Sequence, residues 1–250
     1  MACENRLMPR PDPTPLVVRA TESLGRRTKR IEFSGTIRVD QLRPASYLSL
    51  WFSDPSVIAR DPRTGRTDKR SFTPRFIDPL QGTMTVDFVL HGSGPASTWA
   101  AEAESGDEIW AGPVKGGFAA PESLRFLVLI GDDTAMPAIG TILEAIAPDV
   151  GTCVIVEVVD DQDERQLSTQ RTVDPIWLHR GDDPGRTGQA TLNLVREIQV
   201  PDDAFWWIAG EREAIRAIRD VLVEERGIDR QHYSLNAYWR LTETDPRTRS

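Results

Sequence analysis

Short runs of alternating apolar and polar positions fill the first half of the chain, a pattern typical of strands with one buried face. Gly and Pro residues separate these runs at spacings typical of a small antiparallel barrel. The six predicted strands cover residues 15–20, 28–33, 47–52, 70–76, 82–90 and 106–111. A helix is expected from Pro95 to Ala103. The Pro-rich residues 1–13 predict a disordered arm, and the polar stretch 53–69 predicts an exposed loop.

Near Pro121 the pattern changes to continuous apolar runs that alternate with amphipathic segments. Such alternation predicts an open parallel sheet whose strands are buried on both faces. The predicted strands cover residues 124–130, 152–159, 175–179, 204–209 and 231–238, and the predicted helices cover 135–146, 187–197 and 212–226. The chain therefore predicts a two-domain β + α/β fold. An antiparallel six-stranded β-barrel domain is expected at 14–120, and an α/β domain with an open, nucleotide-binding parallel sheet at 121–245.

The composition is that of a soluble globular protein, with 39% hydrophobic and 27% charged residues among 250. No run of 18 or more apolar residues occurs, so no membrane span is expected. The first 15 residues lack the basic start and apolar run of a secretory signal. A cytoplasmic location is therefore predicted.

The net charge and the number of cysteines exclude some kinds of partner and cofactor. The net charge of −8 argues against a nucleic-acid partner, because binding to DNA or RNA relies on neutralising phosphates. Two cysteines, Cys3 and Cys153, cannot supply a four-thiolate iron–sulfur site, and the three histidines are too scattered to suggest a metal site. Any electron-transfer centre is therefore expected to be organic and bound from solution.

The first candidate binding motif is R-S-F-T-P-R at Arg70–Arg75. Arginine pairs well with phosphate, and a flat ring system can lie against Phe72. The structural alternative is a half-buried strand whose arginine tips are solvated.

The second candidate motif is H-G-S-G-P-A-S-T-W-A at residues 91–100, where a predicted helix begins. Free N–H groups at a helix start, with Ser97 or Thr98 as the cap, suit a phosphate or a pyrophosphate. The structural alternative is an ordinary helix entry. A planar cofactor that carries a diphosphate fits both motifs at once, and flavin adenine dinucleotide (FAD) is the obvious candidate.

The carboxyl ends of the predicted parallel strands carry a third group of candidates, because ligands of such sheets bind at this edge. Gly131 and Gly210 permit close approach of the backbone, and Thr134 can cap its helix against a phosphate. Ordinary strand-to-helix turn chemistry explains the same residues equally well. The G-x-G-x-x-G fingerprint is absent, so no motif establishes a nicotinamide site.

Four stretches in this order carry a resemblance to a known family. They are R-S-F-T-P-R at 70–75, H-G-S-G-P-A-S-T-W-A at 91–100, G-D-D-T-A-M-P-A-I at 131–139, and W-I-A-G-E at 207–211 with Y-W-R at 238–240. The chain resembles the ferredoxin-reductase architecture and, more closely, the siderophore-interacting proteins, which are flavin-dependent ferric-siderophore reductases. The resemblance implies an FAD-binding barrel and a ferredoxin-reductase-like second domain.

The resemblance also implies roles for individual residues. Arg70, Phe72, Thr73 and Arg75 would hold the isoalloxazine ring and phosphates, and His91, Gly94, Ala96, Ser97, Thr98 and Trp99 would line the ribityl-diphosphate site. Gly131, Asp132, Thr134, Ala135 and Pro137 would lie on the nicotinamide side, beside Gly210 and Glu211. Tyr238 and Trp239 are expected near the flavin face or the substrate mouth.

Two departures from the family pattern stand out. Phe72 replaces the commoner Tyr, which removes a hydroxyl but keeps the ring. Leu241, Thr242 and Glu243 stand where the family usually has a Gly soon after Y-W-R. The second departure puts the substrate end in doubt more than the flavin site.

The implied activity is reduction of Fe(III) in a ferric siderophore to Fe(II), with NADH, NADPH or ferredoxin as the electron donor. A basic mouth for the anionic chelate is expected from Lys115, Arg212 and Arg240, although each is also explained as solvated surface charge. No catalytic acid or base and no protein metal site are predicted. The alternatives are a general flavin or ferric-chelate reductase, an electron-transfer partner for another redox protein, and a siderophore-binding module without turnover.

Overall fold

A computed structural model describes residues 13–52, 68–91 and 94–241. Residues 1–12 of the predicted N-terminal arm and residues 53–67 of the predicted loop lie outside the described residues, as do positions 242–245 of the predicted second domain. Within the described part, no helix is long and apolar enough to cross a bilayer.

The N-terminal sheet has seven antiparallel strands among the described residues and curls into a half-barrel. Its strands are β1 (Thr14–Ser23), β2 (Thr28–Gly35), β3 (Leu48–Trp51), β4 (Lys69–Phe72), β5 (Pro74–Asp78), β6 (Thr83–Val89) and β7 (Glu108–Ala111), in the order β4-β3-β7-β1-β2-β6-β5. Helix α1 (Pro95–Glu102) follows β6. The antiparallel barrel-like sheet is confirmed, with one strand more than predicted.

The additional strand arises because the predicted strand over 70–76 is two strands. β4 pairs with β3 at one edge of the sheet, and β5 pairs with β6 at the opposite edge, with only Thr73 between them. Pro74 cannot donate a backbone hydrogen bond, so it is suited to the first position of an edge strand. Arg70 and Arg75 therefore lie on opposite edges of the sheet, rather than five positions apart on one strand.

The C-terminal sheet has five strands, and every neighbouring pair is parallel. Its elements are β8 (Phe126–Asp132), α2 (Met136–Ala145), β9 (Gly151–Val158), β10 (Ile176–His179), α3 (Gln189–Glu197), β11 (Phe205–Glu211), α4 (Arg212–Asp220) and β12 (Tyr233–Trp239). The strand order is β10-β9-β8-β11-β12, so the direction of winding reverses between β8 and β11. The predicted open parallel sheet is confirmed.

Alternate residues of the parallel strands enter two apolar clusters on opposite faces of the sheet. Leu127, Leu129 and Trp207 belong to the cluster that also contains the apolar residues of α2, whereas Val128 and Trp206 belong to the cluster formed with α3 and α4. Burial on both faces explains why these strands are continuous apolar runs in the sequence.

The segment from Gly112 to Arg125 connects the two sheets and is bonded to the N-terminal half. The N–H of Val114 donates to Arg38 at 2.7 Å, and the N–H of Phe118 donates to Pro44 at 2.6 Å. The domain boundary predicted at 121 falls within this segment and stays a prediction.

The two halves are joined by an ion pair between β5 and α2. The guanidinium of Arg75 donates to both carboxylate oxygens of Glu144, at 2.7 and 3.0 Å, and to the carbonyl of Leu167 at 3.1 Å. The side chains of Arg75 and Glu144 are only 6% and 14% exposed. This arrangement needs a helix surface without a side chain at Gly140, where a Cβ would lie 2.3 Å from the Leu167 oxygen and 3.0 Å from Arg75 Nε.

Substituting Gly140 by alanine is therefore expected to destabilise the protein, although alanine favours a helix over glycine. The added Cβ would meet a backbone oxygen that cannot move freely, and we expect the free energy of unfolding to fall by about 1–3 kcal/mol. Urea denaturation measures the change. Ala145→Gly, an exposed change in the same helix, gives the effect of helix propensity alone. Equal or greater stability of Gly140→Ala would contradict the close packing.

Candidate cofactor site

A cavity of about 1380 Å³ lies between the two halves and is lined by residues of both. The N-terminal half contributes β4, the end of β6 and the first turn of α1, and the C-terminal half contributes β12 and the start of α2. The connecting segment adds Gly116, Gly117, Phe118 and Ala119. Ligand pockets are commonly about 300–1,000 Å³, so this cavity has room for a dinucleotide and part of a second molecule.

The first predicted motif brings four residues to the cavity wall, Arg70, Ser71, Phe72 and Thr73. Arg70 is exposed on β4, and its Nη1 donates to the carbonyl of Lys69 at 2.9 Å. Phe72 is half-buried, with its ring centroid 4.7 Å from that of Phe88. Thr73 is buried, and it lies close enough to the Tyr238 hydroxyl of β12 to oppose the rise in the pKa of that group. The motif therefore supplies a charged end, an aromatic surface and a link to the other half.

Arg75 is the exception, because the structure places it outside the cavity. Its guanidinium is held by Glu144 and by the Leu167 carbonyl, as described above, and lies 4.2 Å from the Phe76 ring centroid. Arg75 is thus engaged in joining the halves, and a direct contact to isoalloxazine or phosphate does not fit its position.

The second predicted motif brings the first turn of α1 to the cavity, through Gly94, Ala96 and Ser97. The predicted cap by Ser97 or Thr98 is wrong: Gly94 is the N-cap residue and no side chain caps the helix. Instead, the Ser97 hydroxyl accepts a hydrogen bond of 2.8 Å from the His91 N–H. Backbone N–H groups of an uncapped first turn suit an anionic group.

Thr98 and Trp99 do not line the cavity. Thr98 is exposed, and Trp99 packs in the apolar core of the half-barrel, stacked on Phe33 with centroids 6.2 Å apart. Helical geometry explains the difference, because consecutive residues of one turn face different directions.

At the switch point of the parallel sheet, Thr134 and Pro137 reach the cavity wall, whereas Asp132, Ala135, Gly210 and Glu211 lie behind it. Ala135 is fully buried, and Glu211 caps α4 by accepting from two of its backbone N–H groups, at 2.6 and 2.9 Å. Of the residues predicted for the nicotinamide side, most are therefore buried behind the cavity wall and support the residues that form it.

Among these buried residues behind the wall, Asp132 has a strongly shifted pKa. Burial and the neighbouring Asp133 carboxylate raise the pKa of Asp132 to about 6, although hydrogen bonds from Thr134 and Trp239 oppose the shift. Burial likewise raises the pKa of Tyr238 to about 12, although the residue as a whole is 37% exposed. Near neutral pH, Tyr238 therefore keeps its proton.

The predicted basic mouth is only partly formed by the predicted residues. Arg240 lines the cavity, but Lys115 and Arg212 do not, and Lys115 lies 5.9 Å from the Tyr47 ring centroid. Lys69 and Arg230 line the cavity and were missed by the sequence analysis. Lys69 directly precedes the R-S-F-T-P-R motif, which was an available signal; Arg230 follows no motif.

These residues fit a flavin dinucleotide: the cavity has arginine and an uncapped helix turn for phosphates, and aromatic side chains for a flat ring. Among the described residues, no three His, Cys, Asp or Glu side chains are grouped to hold a metal ion. The site can therefore bind an anionic, planar organic molecule.

The fold belongs to the ferredoxin-reductase-like class. The structure of phthalate dioxygenase reductase superposes with a TM-score of 0.65 at 11% identity, covering 93% of this chain and 70% of that one. Residues 124–242 match the siderophore-interacting protein family, and residues 42–116 match the siderophore-interacting FAD-binding domain. The chain belongs to the siderophore-interacting protein family.

Two family relatives illustrate the similarity. A siderophore utilization protein from T. fusca has a crystal structure that superposes with a TM-score of 0.79 at 28% identity, covering 94% of this chain and 95% of that one. The NADPH-dependent ferric-chelate reductase of Escherichia coli (strain K12) is 29% identical over 184 residues, which cover 71% of this chain and 68% of that protein.

Proposed function

We propose that this protein is an FAD-dependent reductase of ferric siderophores that receives its electrons from NADH or NADPH. The observation that carries the proposal is a cavity that joins the Arg70 strand and the first turn of α1 to β12 of the parallel sheet. Membership of the siderophore-interacting family and similarity to a ferric-chelate reductase support it.

In this proposal, Arg70 and the uncapped first turn of α1 hold the phosphates of FAD, and Phe72 and Thr73 lie beside the ring. His91, Gly94, Ala96 and Ser97 form the ribityl-diphosphate side, and Trp99 supports them from the core. Bound FAD would supply the conversion between a two-electron donor and a one-electron acceptor. The chain itself supplies binding, orientation and charge.

The ferric chelate is proposed to bind against the basic residues of the cavity wall, Lys69, Arg230 and Arg240. Their positive charges suit an anionic chelate in a protein whose net charge is −8. Arg230 is held in place, because its Nη1 donates to the Tyr233 carbonyl at 2.7 Å. Lys115 and Arg212 remain candidates only for the approach of the chelate from outside.

The nicotinamide is proposed to approach at the Thr134 and Pro137 side of the cavity, near the switch point of the sheet. Ferredoxin is the alternative donor, and the preference between NADH and NADPH is part of the test. A cytoplasmic location, where reduced nicotinamide is available, stays a prediction.

The test is an assay of purified protein reconstituted with FAD. We expect a flavin absorbance spectrum, and oxidation of NADH or NADPH that depends on a ferric siderophore, measured with both donors against several ferric chelates. Faster turnover with free flavin or quinone than with any ferric chelate would favour the general reductase. Chelate binding without a flavin spectrum would reject the proposal in favour of a binding module.

A further inference from the structure

A buried carboxylate lies behind the cavity wall at the end of β8. Asp132 is 5% exposed, and its Oδ1 accepts from the N–H of Thr134 at 2.9 Å and from the Thr134 hydroxyl at 2.5 Å. Its Oδ2 accepts from the Glu211 N–H at 3.1 Å and from the Trp239 indole at 2.7 Å. Each oxygen has two donors, so an acceptor-only group fits the site and an amide does not. A Cβ at Gly210 would lie 2.6 Å from Oδ2.

A chain of contacts leads from this carboxylate to the other half of the protein. The Trp239 ring stacks on the ring of His91, with centroids 5.9 Å and planes 29° apart. The His91 N–H donates to the hydroxyl of Ser97, which belongs to the first turn of α1. Trp239, His91 and Ser97 line the cavity, whereas Asp132 does not.

We infer that Asp132 is a positioning residue, which fixes the Trp239 indole against His91 and thereby holds the first turn of α1 in its place on the cavity wall. The inference rests on the proposed function, because that turn is where the phosphates of FAD are proposed to bind. Asp132 acts without touching the cofactor. Trp239 is on this account a fixed part of the wall.

The charge state of Asp132 gives a signature of this role. Two charged groups act on Asp132. The like charge of Asp133 raises the pKa of Asp132, and the opposite charge of Arg180 lowers it. Arg180 also pairs with Asp133 at 2.6 Å. The Glu211 carboxylate lies on the next strand, and His91 lies against the indole. Since the pKa of Asp132 is about 6, the Trp239 hydrogen bond is expected to weaken as the pH falls through that value.

The direct test is a nuclear magnetic resonance experiment on the full protein labelled with ¹⁵N-tryptophan. Trp239→Phe assigns the Trp239 indole signal among the seven tryptophans. We expect this signal to move upfield and its hydrogen exchange to quicken about tenfold or more in Asp132→Asn, because a bond to a charged acceptor is lost. It should also titrate near pH 6 in the wild type but not in Asp132→Asn. Continued titration in the variant would assign the effect to His91.

Asp160→Asn is the matched control. Asp132 is the last residue of β8, and Asp160 lies two residues beyond the end of β9. Each caps the turn that follows it, Asp132 by accepting from the Thr134 N–H and Asp160 by accepting from the Gln162 N–H. Asp160 pairs with Arg26 at 3.2 Å, so its carboxylate has a different partner from Asp132. The Trp239 signal should be unchanged in this variant.

The second readout is the affinity for FAD, measured by quenching of flavin fluorescence. We expect Asp132→Asn and Trp239→Phe each to raise the Kd about tenfold, with Asp160→Asn unchanged. An unchanged indole signal in Asp132→Asn, or wild-type affinity in both variants, would overturn the inference. If Asp132→Asn does not fold, the Kd of Trp239→Phe for FAD decides whether the inference stands. If the wild type binds no FAD, the proposed function fails, and the indole signal still tests the contact.

Discussion

Replacing Arg75 with alanine is expected to lower the free energy of unfolding by about 3–5 kcal/mol, because it leaves the Glu144 carboxylate buried without its partner. Both side chains are largely buried, and the guanidinium also holds the Leu167 carbonyl. The bond joins β5 to α2 across the two halves, so its loss should weaken their association. Urea denaturation, followed by circular dichroism and by tryptophan fluorescence, measures the change.

Arg196→Ala is the control, since Arg196 makes a similar pair with Glu225 on the surface, where the side chains are 43% and 49% exposed. Its cost is expected to stay below about 1 kcal/mol. A comparable cost for both variants would contradict the special role of Arg75.

The same ion pair should show a definite pH dependence. Burial opposes ionisation of Glu144, but hydrogen bonds from Arg75 and Thr169 outweigh it and hold the pKa of Glu144 below its ordinary value of 4.5. The stabilisation is therefore present above pH 4.5 and is lost as the pH falls through the folded-state pKa. The difference in stability between the wild type and Arg75→Ala should shrink over that range.

The second large effect is expected at Arg70, where substitution by alanine should weaken FAD binding about a hundredfold. Loss of two charge-assisted hydrogen bonds to phosphate, about 1.5 kcal/mol each, gives this factor. Because Arg70 is exposed on β4, the melting temperature should change little. Flavin fluorescence gives the Kd, and Arg70→Lys should recover only part of the affinity because it lacks the planar fork.

Arg230→Ala provides a matched comparison, because Arg230 lines the same cavity and is assigned to the chelate rather than to FAD. It is expected to raise the KM for a ferric chelate while leaving the Kd for FAD within about twofold, a change below 0.5 kcal/mol. If Arg230→Ala weakened FAD as strongly as Arg70→Ala, the proposed arrangement of cofactor and substrate would be reversed or wrong.

The sequence predicted the order and type of the described elements because the two halves differ in hydrophobic period. Alternation predicted the antiparallel strands of the N-terminal half, and continuous apolar runs predicted the parallel sheet. The division at Thr73 was missed, although Pro74 was visible, because a local pattern does not show which edge of a sheet a strand joins. That single error placed Arg75 on the same strand as Arg70.

The cavity was harder to predict than the fold, because side chains reach it from elements that are distant in sequence. A motif names neighbours along the chain, but only one face of α1 meets the cavity, so Ser97 lines it and Trp99 does not. Arg230 had no motif to mark it. The support given by Asp132 depends on a contact with Trp239, 107 positions away, which no local pattern contains.

The segment from Gly112 to Arg125 has a consequence for how such proteins can be rearranged. Gly116, Gly117 and Phe118 of this segment belong to the wall of the cavity, and its backbone is bonded to the half-barrel. The connection thus cannot be exchanged for a generic flexible spacer without opening the cavity. A chimera in which one half is replaced by that of a distant relative is expected to keep the cavity only when this segment is taken from the same protein as the N-terminal half.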